Sequence, residues 1–363
     1  MHVVVCGGGV IGAATAYFLT ELGIEVTLVE RCSLAAAASG KAGGFLARDW
    51  CDANAMGPLA RASFDLHAEL AERLGADYGY RRVDTLMVAG ADEASVAAYA
   101  RLPTSAWLDG NCAVNGRLGT PETTAQVEPG AFTRALVDAA GRNGGARVRI
   151  GAVEGLVAHG ASGAVAGALV DGETIAADAV VLAMGPWTAL ARQWVALPPI
   201  GGLKGFSITL RPDFEVPAEM LFCEYRTARG EVLAPEIYPR PDGEVWVCGM
   251  SDDQPVPIDP AHVRVDDARC DELRRIAGTM ATGLAEARIT RRQACYRPIC
   301  ADAMPLLGPV PGRPGAFVAT GHNCWGILNA PASGKAMAEL IATGEARCVD
   351  LAPFDPGRLL EAA

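Results

Sequence analysis

The chain opens with an apolar run over residues 2–6, three consecutive glycines, and then a stretch of helical composition over 13–22. Gly23 ends that stretch, and a second apolar run, 24–29, closes on Glu30. Short apolar runs bounded by glycine predict buried strands, and the segment between them predicts a crossover helix. Leu59, Ser63, Leu66, Leu70 and Leu74 fall on one helical face, with Glu69, Glu72 and Arg73 elsewhere. Residues 82–89 and 113–120 read as strands, joined by a turn-rich, partly helical stretch. A helix is expected over 132–143, followed by short strands at 146–150, 155–158, 164–170 and 174–175. The apolar run from Asp178 ends in a glycine turn at Gly185 and is expected beside the first two strands in a parallel sheet. From 200 to 295 the pattern becomes alternating, with strands at 207–210, 231–238 and 244–250 and a helix at 270–284. The expected architecture is therefore α/β, two-domain, with a Rossmann-like domain interrupted by a mixed, largely antiparallel sheet. The first domain takes residues 1–81, 121–200 and 296–363, and the second takes 82–120 and 201–295.

The first turn carries chemistry. Gly7-Gly8-Gly9-Val10-Ile11-Gly12 supplies G-x-G-x-x-G between a strand and a helix. Gly7 permits the tight turn, Gly9 lets the backbone approach a pyrophosphate, and Gly12 lets the helix pack closely on the sheet. The helix N-terminus then presents free N–H groups to the phosphates. Glu30 stands where a carboxylate takes both hydroxyls of an adenosine ribose. It disfavours a 2′-phosphorylated nucleotide, an effect that Arg31 softens. The motif implies a dinucleotide and does not distinguish NAD from FAD.

Composition narrows the partners. With 363 residues, half of them apolar, two domains are expected. A net charge of −11 argues against nucleic acid and anionic membrane surfaces. No apolar run reaches the ~18 residues that span a bilayer, and a first strand starting at residue 2 leaves no room for a leader. Eleven scattered cysteines without CxxC spacing, and five histidines without HxH or HExxH, predict reduced thiols and no metal site. A cytoplasmic location is expected.

Six separated blocks carry a family resemblance. They are the glycine loop with Glu30; residues 38–46 (Ala-Ser-Gly-Lys-Ala-Gly-Gly-Phe-Leu); Val127-Glu128-Pro129; Ala183-Met184-Gly185-Pro186-Trp187; Tyr238-Pro239-Arg240-Pro241-Asp242-Gly243; and a C-terminal pair. That pair is Tyr296-Arg297-Pro298 with Asp302, Pro305 and Gly308, then Ala319 to Ile327. In these blocks the chain resembles the FAD-dependent amine and amino-acid oxidoreductases typified by D-amino acid oxidase, glycine oxidase and monomeric sarcosine oxidase. A helix expected after Gly321 agrees with this, because its N-terminal dipole would favour the negative charge of a reduced flavin.

The resemblance implies FAD as cofactor and hydride transfer from a substrate Cα–H to flavin N5, giving an imine that hydrolyses. It assigns to the cofactor Gly7, Gly9, Val10, Ile11, Gly12, Glu30 and Arg31, the loop Ser39, Gly40, Lys41, Ala42, Gly43, Gly44 and Phe45, and Val153 at the adenine. It adds Ala183, Gly185 and Trp187, then Gly321, His322, Asn323, Trp325, Gly326 and Ile327. Arg297, by the same resemblance, grips the substrate carboxylate, a task suited to a planar guanidinium. Tyr238 lies over the flavin and assists. Lys41 adds a cation beside the flavin that could raise its potential, aid oxygen chemistry, or pair with the phosphates. The sarcosine branch has a lysine in the strand matching residues 244–249, and this chain has none there, so the electron acceptor, O2 or another, stays open. That branch also bonds flavin to a cysteine seven residues before the motif aspartate, which here is Cys295. Noncovalent FAD and a Cys295 link activated by Arg297 or Arg292 both stand. Two alternatives complete the reading: a flavoprotein in which FAD is structural, and an NAD-dependent dehydrogenase.

Overall fold

Three apolar runs pair side by side because each buries both faces. His2–Cys6 lies between Glu25–Glu30 and Ala179–Leu182, parallel to both. Ala316–Thr320 and Ala146–Ile150 extend the sheet in parallel, and Leu306–Pro309 closes one edge antiparallel. The computed structural model describes residues 1–93, 105–160 and 163–360.

The twofold alternation of these strands builds three layers. Val3, Val5 and Leu28 point to one face, where helices Val10–Glu21, Pro129–Arg142 and Gly326–Thr343 supply Leu19, Phe132 and Leu328. Val4, Cys6 and Val29 point to the other, against a three-stranded antiparallel sheet of Val153–Ala158, Val165–Val170 and Glu173–Ala176. Each such apolar side chain, buried in full, stabilises by about 1.5–3 kcal/mol.

The second sheet runs Arg288–Ile299, Gly201–Arg211, Val245–Asp252, Glu236–Pro239, Glu219–Arg226, Asp84–Ala91, Cys112–Gly119, with Val232–Leu233 paired beside Glu219–Arg226. It is mixed, since Glu219–Arg226 and Asp84–Ala91 are parallel. Helix Asp267–Met280 covers one face, with Leu273 and Ile276 against Phe206, Ile208 and Val247. Met220, Tyr238, Trp246 and Cys248 project from the other face, joined by Phe45 and Phe222. That second face looks toward the first sheet and encloses the site. The architecture is α/β, a Rossmann-like domain with a mixed sheet domain.

Several expectations are corrected. Glu219–Arg226 is a strand that the pattern did not mark. The segment 231–238 is two strands, broken at Pro235, which has no N–H for a ladder. The helix expected at 270–284 begins at Asp267, capped by the Asp266 carboxylate accepting from Arg269 N at 3.2 Å, and ends at Met280. The helix expected from residue 132 begins at Pro129, where the Glu128 carboxylate accepts from Ala131 N. One continuous strand, Arg288–Ile299, spans residues 295 and 296. The stretch expected as turn-rich between 89 and 113 includes residues 94–104, which lie outside the described residues. Among the described residues, no helix is long and apolar enough to cross a membrane.

Candidate active site

A cavity of about 380 Å³ lies between the C-terminal ends of the parallel strands and the aromatic face of the second sheet. Its lining runs from Gly7, Glu30 and Val153 to Tyr238, Arg297 and Trp325. The switch end of a parallel sheet is where such folds bind nucleotides.

The first end is built on backbone. Gly7 has φ +115°, and a Cβ there would meet the Ala183 carbonyl oxygen at 2.3 Å. The helix Val10–Glu21 carries no side-chain cap and no acid in its first turn. Val10 N donates to Ser39 Oγ at 2.9 Å, which ties the glycine loop to the next loop. Glu30 accepts from Gly8 N at 2.7 Å and from Cys32 N at 3.0 Å, so its carboxylate braces the turn. Arg31 reaches across to the Ile258 carbonyl at 3.3 Å, and Trp187 Nε1 donates to Pro257 O at 2.7 Å.

A second uncapped helix faces the same cavity. After Gly321 the chain makes a tight turn, Asn323–Trp325, and enters helix Gly326–Thr343, again without a side-chain cap or an early acid. His322 sits buried before it, its Nε2 at 3.0 Å from Ser333 Oγ, and burial pushes its pKa down to about 3. It is neutral at physiological pH and serves as a structural link.

The loop from Lys41 to Phe45 is clamped by the second sheet. The Lys41 carbonyl accepts from Trp246 Nε1 at 3.1 Å and from Ser207 Oγ at 3.4 Å. The Ala42 carbonyl accepts from buried Arg240 at 3.2 Å. Lys41 Nζ donates to Ala294 O at 3.1 Å. A Cβ at Gly43 would stand 2.4 Å from the Tyr238 ring, so only glycine lets the loop lie on it. Tyr238 stacks on Trp246 with ring centroids 5.2 Å apart, and its hydroxyl donates to Glu236 Oε2 at 2.6 Å. Burial first, then the Glu236 charge, hold that phenol well above its usual pKa. Arg297 is half-buried in the lining, and its guanidinium has no hydrogen bond or ion pair among the described residues.

The predicted residues converge with three exceptions. Gly12, Gly40 and Gly321 do not line the cavity; they pack behind it, Gly12 against the Gly7 carbonyl. Two expectations about side chains change. The Tyr238 hydroxyl, expected to assist a carboxylate contact, donates to Glu236 Oε2. The Cys295 thiol lines the cavity, but burial pushes its pKa up, and the opposing charge is Lys41, not Arg297 or Arg292. Arg292 sits on the opposite face of its strand, paired with Asp271 at 2.6 Å. Sequence reasoning missed Trp50, Phe222, Glu236, Trp246 and Cys248, all in the lining. Twofold spacing from Tyr238 could have found Glu236.

A model of the FAD dependent oxidoreductase family, DAO, matches residues 2–340. A Schizosaccharomyces pombe protein named only as an oxidoreductase is 31% identical, with 99% of each chain covered. Glycine oxidase of Pseudomonas aeruginosa is 28% identical, again over 99% of each. The crystal structure of glycine oxidase from Geobacillus kaustophilus superposes with a TM-score of 0.80 at 25% identity, over 99% of both chains. The fold and site thus define a flavin enzyme: the chain belongs to the DAO family of FAD-dependent oxidoreductases. Its cofactor is FAD, and the cavity fits that group. Two uncapped helix ends suit two sites of negative charge, and the glycines at 7 and 43 keep the backbone close enough for a flat, extended ligand.

Proposed function

We propose that this chain oxidises the C–N bond of a small amino acid held by its carboxylate on Arg297. The observation that carries this reading is the Arg297 guanidinium, without an ion-pair partner among the described residues, in a cavity end lined largely by aromatic side chains. A charge left without a partner there is unfavourable, and a bidentate carboxylate removes the penalty. Glycine oxidases among the relatives of similar length support the same class.

In this reading Gly9, Val10 and Ile11 hold the pyrophosphate, Glu30 the adenosine ribose, the Lys41–Phe45 loop one side of the ring system, and Asn323 to Ile327 its polar edge. FAD, when bound, supplies the two-electron acceptor for a hydride leaving the substrate Cα. The protein supplies position. Arg297 fixes the carboxylate and thereby the direction of the Cα–H bond. Tyr238, Phe45, Trp50 and Phe222 form an aromatic wall around the reacting end and limit water. No dedicated base is needed for hydride loss once the amine is neutral. Lys41 is a fixed cation beside the loop, its ammonium held on Ala294 O.

An anaerobic screen of glycine, sarcosine, proline and D-amino acids tests the reading. One or more should bleach the yellow flavin within the time of a turnover. If none does, while dithionite bleaches it normally, the amino-acid assignment is wrong. Readmitting air to the bleached enzyme then separates an oxidase, which recolours at once, from a dehydrogenase.

A further inference from the structure

The cavity end that carries Arg297 carries an opposite charge as well. Glu236 lines it, half-buried, two residues before Tyr238 on the same face of the strand Glu236–Pro239. Its Oε2 accepts from the Tyr238 hydroxyl at 2.6 Å, and the Cys248 thiol stands 3.7 Å away. Among the described residues nothing donates to Oε1, and no cation lies within 4.0 Å of the carboxylate. Glu236 and Arg297 do not pair with each other, yet both charges act on the thiols of Cys248 and Cys324. The two charges therefore flank one small space without touching.

A carboxylate facing aromatic rings without a counter-ion is an expensive arrangement that a ligand cation would relieve. A purely structural role does not account for it, because the Tyr238 hydroxyl needs only a neutral acceptor. Aromatic faces beside the carboxylate add attraction for a cation. From these observations we infer that Glu236 binds the ammonium nitrogen of the substrate, so that the cavity selects zwitterions, with the carboxylate on Arg297 and the amine on Glu236. This rests on the amino-acid reading above and names the second half of its recognition. It excludes simple amines and simple carboxylic acids as good ligands. Glu236 is a specificity-determining residue that touches substrate, and the bound ammonium passes one proton to its carboxylate or to water before hydride leaves from the neutral amine.

Three ligands of one shape test it on the FAD-loaded enzyme. 2-Aminoisobutyrate is a zwitterion with no α-hydrogen, so it binds without reacting. Pivalate replaces its ammonium by methyl, and tert-butylammonium replaces its carboxylate by methyl. Affinities are read by calorimetry and by the shift each ligand causes in the flavin absorbance. The wild-type enzyme should bind the zwitterion at least 10-fold more tightly than either analogue. Glu236→Gln, which keeps an acceptor for Tyr238, should weaken 2-aminoisobutyrate and tert-butylammonium by roughly 10- to 100-fold and leave pivalate unchanged or tighter. Glu236→Asp, which keeps the charge, should restore part of the loss. Equal weakening of pivalate and the zwitterion in Glu236→Gln overturns the assignment, as does wild-type enzyme that binds those two equally well. If Glu236→Gln fails to hold FAD, that wild-type comparison decides alone. Should only tert-butylammonium bind, and lose affinity in Glu236→Gln, the amino-acid reading falls while the role of Glu236 in binding ammonium stands.

Discussion

Replacing Glu30 by alanine removes two hydrogen bonds to the backbone of its own turn. The carboxylate accepts from Gly8 N at 2.7 Å and from Cys32 N at 3.0 Å. Hydrogen bonds to a charged acceptor are worth about 1.5–3 kcal/mol each. Glu30 is half-buried, and water replaces part of each bond, so about 2–3 kcal/mol in total is expected. At roughly 2 °C per kcal/mol for a large domain, the FAD-free protein should melt about 4–6 °C lower. Glu30→Gln keeps one acceptor oxygen and should show about half of that. The FAD-loaded protein should lose more than the FAD-free one, because the ribose contact disappears as well. Calorimetric melting of both forms, with FAD affinity from fluorescence quenching, separates the two contributions. An FAD-free Glu30→Ala protein that melts with wild type would refute the bracing role. A variant that retains stoichiometric FAD at wild-type affinity would refute the ribose role.

Three further outcomes are expected. Arg297→Ala should raise the KM for an amino acid by roughly 30- to 1000-fold while changing reduction by a carboxylate-free amine far less; equal effects on both would remove Arg297 from the site. Acid precipitation should leave a yellow supernatant and a colourless pellet, because burial holds the Cys295 thiol above its usual pKa and so starves it of thiolate; a yellow pellet that Cys295→Ala turns colourless would show a covalent link. Stability should fall as pH drops below 6.5, because buried His67, pushed down to about 4, stays neutral in the fold while the unfolded chain takes up its proton. His67→Gln, which keeps an N–H for the Ile327 and Leu328 carbonyls, should flatten that slope between pH 6.5 and 4 by up to about 1.4 kcal/mol per pH unit; an unchanged slope in urea titrations contradicts the argument.

The parts of this molecule legible in its sequence are those whose causes are local. The glycine turn and Glu30 belong to one strand–turn–helix unit, whose shape follows from local spacing. The C-terminal helix stops at Gly344, which adopts φ +80°, as a helix end favours. The strand Glu219–Arg226 was not legible, because its buried positions do not alternate cleanly and its place is set by pairing with Asp84–Ala91, far away in sequence. Glu236 was missed for a related reason. An acid beside a proline in an alternating strand reads as a solvent position, and only the opposing sheet face makes it part of a cavity. The roles of Trp246, Ser207 and Arg240 depend on carbonyls 166 to 205 residues earlier, at Lys41 and Ala42. No local pattern encodes such a contact.

The strand Arg288–Ile299 acts as a ruler. It carries Cys295 and Arg297 into the cavity and, two residues later, bridges through Ile299 to His322, at the threshold of the C-terminal helix. The separation between the Arg297 guanidinium and that helix end is thus set by a few residues of one extended backbone, anchored along Gly201–Arg211. Two added residues between Arg297 and Ile299 would displace the guanidinium by about 7 Å, more than the length of a small amino acid. A lineage that keeps this strand can reshape the cavity by exchanging other lining side chains, such as Phe222 and Glu236, without altering where the Arg297 guanidinium sits relative to the helix.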